Sequence, residues 1–532
     1  MIETVQLLRP TGPALVPAAA AAPTLDRAWA TARVALVDNS KPGAVPLLDG
    51  IADGLGIPAE RRDVIAKQIA PGPMNDEELA RVKQCRAAIL AVGNCGGCTS
   101  WTTKDAVTVA VDLGIPSVLI VTTPFELIAS QVATSLGHPG LPIVAVEHPV
   151  GLLPYEVVHE RGFGAAARVR DALEAAATGP TTAAEAGDDE LLAVRGDELD
   201  DVFMANGWSD GLPLVAPTPE RVAAMLGRHR ERADEVIGGV ATGYGLATYR
   251  AVAVNAVLAG CRPAYFDVLV AAVRGVTDPA FNLHGIQATT HPAGPTVLVN
   301  GPVAERIGMN SGACVFGPGN RANATIGRAL RLVLQNVGRS RPGETDRATF
   351  GHPGKYTQCI AENERDSPWE PFHVSRGFTS GTSAVTVLGT EAPQNMNDVA
   401  STTPEGLLKT IIGSMSSTGH NHHQYPRTQP FVIHSPEHAQ LLAAAGFSRR
   451  AVQEYLFEHA RVPIAAFSDE KVARFLARRR PAWFGQDNTS GVAALADDPD
   501  DILIAVAGGP GTHSVFLPSF GPTLGVTTPL DE

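Results

Sequence analysis

The chain has 532 residues, of which 44% are hydrophobic, 18% charged and only 5% aromatic. That composition supports a packed core and excludes wholesale disorder, and at ~150 residues per domain the length calls for more than one domain. A formal charge of −13 offers no basic footprint for nucleic acid or anionic lipid. No apolar run reaches the ~18 residues of a membrane span.

Residues 1–30 are rich in Ala and Pro and lack the basic and apolar regions of a signal peptide, so they read as a loose arm. Six cysteines are too few for a disulfide framework, and a reducing cytoplasmic location is expected. Short apolar runs at 32–37 (ARVALV), 87–92 (AAILAV), 117–121 (SVLIV) and 142–146 (PIVAV) alternate with helical patterns at 102–113 and 126–136. Strands without polar alternation, separated by helices, predict a small doubly wound, Rossmann-like parallel sheet over 31–178. A small, polar, aperiodic stretch at 179–192 reads as a linker. Residues 193–532 form a larger mixed α/β domain, with strands expected at 296–300, 384–388 and 501–507 and helices at 322–337 and 404–412.

The sharpest motif is Gly93-Asn94-Cys95-Gly96-Gly97-Cys98-Thr99-Ser100-Trp101, which follows a buried strand and opens a helix. The carboxyl edge of a doubly wound sheet is where ligands bind. A helix N-terminus favours a thiolate, and CxxC spacing lets one thiol resolve an adduct on the other. Zinc would need two further ligands, and no second CxxC exists. A redox dithiol, a structural zinc site and inert cysteines all remain open at this point. His148, at the end of an expected strand on the same edge, is the candidate base for Cys95, and Asn94 a candidate contact for substrate.

The run GNCGGCTSW with its flanking strand and helix, followed by Gly114-Ile115-Pro116 and a strand ending TTPF, resembles the UGSC family over about residues 30–175. The resemblance aligns Cys95 with a position that is selenocysteine in some members and Cys98 with the resolving cysteine. It implies thiol or selenol redox chemistry and no definite substrate. The spelling departs at two places: Cys95 replaces selenocysteine, and Gly97 replaces Ser.

Three of the 15 histidines precede residue 180; the other twelve lie in the larger domain, many of them in Gly/Pro-rich loops. His284, His291, His352 and Glu362 lie at expected loop–strand junctions and are candidates for substrate binding. The Gly508–Ser514 loop follows a strand, so Gly509, Gly511, His513 and Ser514 are candidates for an anion contact, although the loop lacks the Lys of a P-loop. His420 and His422, with Glu362 or Glu364, are candidate ligands for a divalent metal.

These residues point first to a thiol-dependent oxidoreductase. In that reading Cys95 attacks a small polar organic or thio substrate, Cys98 resolves the adduct as a disulfide, and an external thiol or other reductant restores the pair. A metal-dependent lyase or hydrolase built on the histidines, and a non-catalytic thiol sensor, are the alternatives. A homodimer is the expected assembly.

Overall fold

The computed structural model describes residues 4–13, 31–175, 191–484 and 491–531. Five parallel strands form the N-terminal sheet: β1 (Val34–Asp38), β2 (Arg62–Ala66), β3 (Ala87–Gly93), β4 (Ser117–Thr122) and β5 (Ile143–Val146). Their order is β2-β1-β3-β4-β5. One face packs on α1 (Ala44–Gly54) and α5 (Tyr155–Ala175), the other on α2 (Asp76–Val82), α3 (Gly96–Val111) and α4 (Glu126–Ser135). Because both faces are covered, β1, β3 and β4 are buried at every position and read as unbroken apolar runs.

The doubly wound sheet is therefore present, with one strand more than the sequence patterns predict. Strand β2 carries Arg62 and Asp63 and alternates in burial, as an edge strand does, so it lacks the apolar signature of its neighbours. Helix α3 opens within the motif, at Gly96, six residues ahead of the helical pattern at 102–113, because the Cys95 side chain caps it by accepting from Cys98 N.

The C-terminal part is mixed α/β. One four-stranded sheet orders Cys359–Ala361, Gly294–Asn300, Ala384–Thr390 and Val526–Pro529, and a second orders Gln394–Asn397, His513–Leu517, Phe431–His434 and Leu503–Val506. The helices Tyr249–Ala259, Phe266–Thr277 and Arg321–Asn336 share the core of the first.

Residues 4–7 depart from the expected loose arm. They pair antiparallel with Leu192–Arg195, and Leu7 is buried in the core of the C-terminal part. Residues 14–30, and the expected linker as far as residue 190, lie outside the described residues. Among the described residues no helix is long and apolar enough to cross a membrane.

The two parts meet where α3 packs on α6 (Leu283–Ala288). Trp101 Nε1 donates to Asn282 Oδ1 at 2.8 Å, and Asn282 Nδ2 donates to the carbonyls of Pro71 (2.9 Å) and Pro522 (2.8 Å). Asn282 is held with φ at +52°, a conformation that Asn tolerates better than most residues.

Candidate active site at the dithiol

Strand order reverses between β1 and β3, so the loops leaving their carboxyl ends diverge to opposite faces and open a crevice. The loop after β1 brings Asp38, Asn39, Ser40 and Lys41 to that crevice; the loop after β3 brings Asn94 and Cys95. Asn39 ties the two loops together by donating to Val92 O (2.8 Å) and Thr102 Oγ1 (3.2 Å).

Cys95 and Cys98 are joined as a disulfide with Cα atoms 5.6 Å apart. Cys95 is partly exposed, whereas Cys98 is fully buried. A thiolate at Cys95 would face the free N–H groups of the first helical turn, where Cys98 N lies 3.4 Å from its sulfur. Asn94 Oδ1 lies 3.7 Å from Cys98 Sγ, which places the predicted Asn94 beside the buried sulfur of the pair.

The glycines between the cysteines have different reasons. A Cβ on Gly96 would sit 1.4 Å from the carbonyl oxygen of Ala288, so only glycine lets α6 approach. A Cβ on Gly97 would meet nothing closer than 3.2 Å, which fits the Ser–Gly difference from the family spelling.

The C-terminal part roofs the dithiol with residues that the sequence reading does not single out. Cys98, Ala70 and Tyr425 form one small buried cluster, against which Cys95 and Phe475 pack. Lys41 Nζ donates to the Tyr425 hydroxyl at 3.2 Å, and the Arg479 guanidinium stacks 3.9 Å from the Phe475 ring centroid and 4.7 Å from that of Tyr425. Arg479 also donates to Ser40 O at 2.6 Å, and Arg478 pairs with the fully buried Asp38. Burial alone would push the Tyr425 hydroxyl up, but Lys41 and Arg479 outweigh it and bring it down to about 8.

Residues 6–175 match the model of the UGSC family. This part of the chain is a UGSC domain. No curated protein and no solved structure matches the chain. The UGSC match ends where α5 ends, so Tyr425, Phe475 and Arg479 over the dithiol come from outside it, whereas Lys41 lies within it.

The other candidates are dispersed. His148 is exposed and lies against the Phe125 ring; its Nδ1 is 3.1 Å from Thr122 Oγ1, which in turn donates to Gly93 O at 3.2 Å. It reaches the dithiol loop only through that hydroxyl. His284 is wedged between Ser100 Oγ (2.6 Å) and Tyr244 OH (2.9 Å), and burial holds it neutral, with its pKa down to about 3. It anchors α6 to α3 of the UGSC domain. His291 pairs with Glu391 at 2.8 Å. His352 lines an open cavity of about 540 Å³ with Phe350, Lys355 and Arg331.

Glu362 does not join His420 and His422. Its carboxylate is engaged by Asn300, Phe372 N and Arg449, and burial raises it to about 7. The expected ligand set is thus not assembled, because Glu362 satisfies a separate buried network. Among the described residues no group of three or more His, Cys, Asp or Glu is placed to hold a metal ion. His420, His422 and His423 instead pack against one another with tilted rings, their centroids 5.1 and 4.2 Å apart.

In the Gly508–Ser514 loop, a Cβ on Gly509 would meet Ala313 at 2.7 Å, and Gly511 has φ of +148°. His513 Nδ1 contacts Asn395 at 3.1 Å, whereas Ser514 is buried between His434 and His438, each at 2.9 Å. None of the four touches the dithiol cluster.

A titration follows from the roof. Tyrosine ionises near ~10 in an unfolded chain, so Tyr425 adds stability that is absent below its folded value of about 8 and grows as pH rises from there. Ultraviolet absorbance of tyrosinate should show one of the seven tyrosines ionising near 8. Tyr425→Phe should remove that step and leave the rest.

Proposed function

We propose that the chain is a thiol-dependent oxidoreductase acting on a small thio compound. The observation that carries this reading is the pairing of a partly exposed Cys95 with a buried Cys98 on the first turn of α3, at the crevice where strand order reverses. The family match supports the placement of the dithiol, and the cationic roof supports anionic sulfur.

In the reaction the Cys95 thiolate attacks one sulfur of a substrate disulfide; a Cys95–substrate bond forms and the other sulfur leaves as a thiolate that takes up a proton. Cys98 gives up its proton and attacks Cys95 Sγ, expelling the second substrate thiolate and forming the Cys95–Cys98 disulfide. Two electrons pass from the dithiol to the substrate. An external thiol reverses the sequence and restores the dithiol.

Lys41, Arg479 and Tyr425 have a defined task in this scheme. They place positive charge and a proton-exchanging hydroxyl against the cluster that holds Cys98, where charge develops as that thiol ionises. The test is equilibration of the full-length protein against graded thiol–disulfide buffers, with alkylation and mass analysis of the tryptic peptide. A reversible two-electron transition confined to Cys95 and Cys98 is expected. A pair that stays oxidised or stays reduced across the whole range would overturn the reading.

A further inference from the structure

Beside the dithiol, a cavity of about 550 Å³ opens between the start of α1, the loop before α5 and the helical segment 469–479. Among the described residues its only charged lining side chains are Arg474 and Arg478, four residues apart on that segment, in a chain whose net charge is −13. The remaining walls are apolar or aromatic and face water: Leu152 is 85% exposed, and Val45 and Tyr155 are exposed as well. Arg474 donates to Gly151 O at 2.7 Å, and among the described residues no carboxylate pairs with it. Arg478 shares its charge with Asp38. Arg474 thus brings to the lining a positive charge that no ion pair among the described residues takes up, next to an apolar wall, and Asp49 accepts from the hydroxyl of the lining Tyr155 at 2.7 Å.

Its floor adjoins the dithiol loop. Pro42, which lines the cavity, accepts at its carbonyl from Asn94 Nδ2 at 3.4 Å, and Asn94 precedes Cys95.

We infer that this cavity binds a monoanionic carboxylic acid with an apolar chain and holds it beside Cys95. The Arg474 guanidinium matches one carboxylate, its edge meeting the two oxygens; a phosphate dianion would call for more donors than the walls supply. The apolar walls then cover the hydrocarbon part. The inference rests on the redox reading only in making an acid of this class that also carries a disulfide the molecule on which Cys95 acts; the binding itself does not.

The test is calorimetric binding of hexanoate and of its neutral isostere hexanamide to the full-length protein, with inorganic phosphate as competitor. Hexanoate should bind roughly tenfold tighter than hexanamide, and Arg474→Gln should erase that preference without changing the melting temperature. Leu152→Ser should weaken both ligands alike. In the reduced protein, saturating hexanoate should slow alkylation of Cys95 by neutral iodoacetamide several-fold. Equal binding of the two probes, a preference that survives in Arg474→Gln, displacement of hexanoate by millimolar phosphate, or an unaltered alkylation rate would each overturn the assignment. Cys95→Ser should bind hexanoate as the wild type does. If that variant kept full turnover, the redox reading would fall while the calorimetric result for the cavity stood.

Discussion

Cys95→Ser is expected to lower the turnover of a small disulfide, coupled to an external thiol, by roughly a thousandfold or more. A serine hydroxyl does not ionise near neutral pH and cannot form the sulfur–sulfur intermediate. The fold should survive the change. Cys95 caps α3 through its side chain, and serine is among the best residues for that position. The disulfide spans only three residues, so losing it removes little loop-closure entropy. A variant that keeps its thermal transition within a few degrees and has no turnover assigns the loss to chemistry. Retained turnover would remove Cys95 from the reaction.

Gly96→Ala should destabilise the protein by about 2–4 kcal/mol. In an isolated helix the same change would gain up to ~1 kcal/mol, because alanine loses less backbone entropy than glycine. Here the added Cβ falls 1.4 Å from Ala288 O, so either α3 or α6 must move. The contact concerns backbone and leaves no flexible side-chain end to give way. Movement at that point also strains the Trp101–Asn282 and Ser100–His284 bonds that hold the UGSC domain to the rest of the chain. Gly97→Ala is the matched control, since its Cβ meets only ordinary to tight contacts beyond 3.2 Å. Denaturant titration of both variants should show a large loss for the first and less than about 1 kcal/mol for the second. Equal stability of the two would contradict the packing described for α6.

Much of the N-terminal fold was legible because its strands are buried on both faces. Unbroken apolar runs such as Ala87–Gly93 and Ser117–Thr122 stand out from any surrounding pattern. Arg62–Ala66 did not, since an edge strand of five residues with two leading charges carries no such signal. The first turn of α3 carries no helical pattern for a related reason: Gly96 and Gly97 are poor helix formers, and their place in the helix is set by the approach of α6 and the cap at Cys95.

The dithiol itself could be read from spacing and neighbouring turns. Its roof could not. Tyr425 and Arg479 lie more than 300 residues from Cys98 in the chain, and nothing local to them marks a site. The one available hint was the run Arg478-Arg479-Arg480, an unusual density of charge whose members pair with Asp38, Ser40 and Asp497. Histidine-rich loops gave the opposite error. His420 and His422 stand close together, but Glu362 is held elsewhere by Asn300 and Arg449, a separation that sequence distance cannot show.

The central claim is that Cys95 makes the first bond and Cys98 breaks it. The most direct measurement is the intact mass of reduced Cys98→Ala after brief exposure to a small aromatic disulfide, with the exposed Cys314 replaced by Ser to remove a competing thiol. A persistent adduct of one half-disulfide, mapped to Cys95, is expected, which the wild type releases on its own. An unmodified Cys95, or an adduct that the variant clears as fast as the wild type, would contradict it.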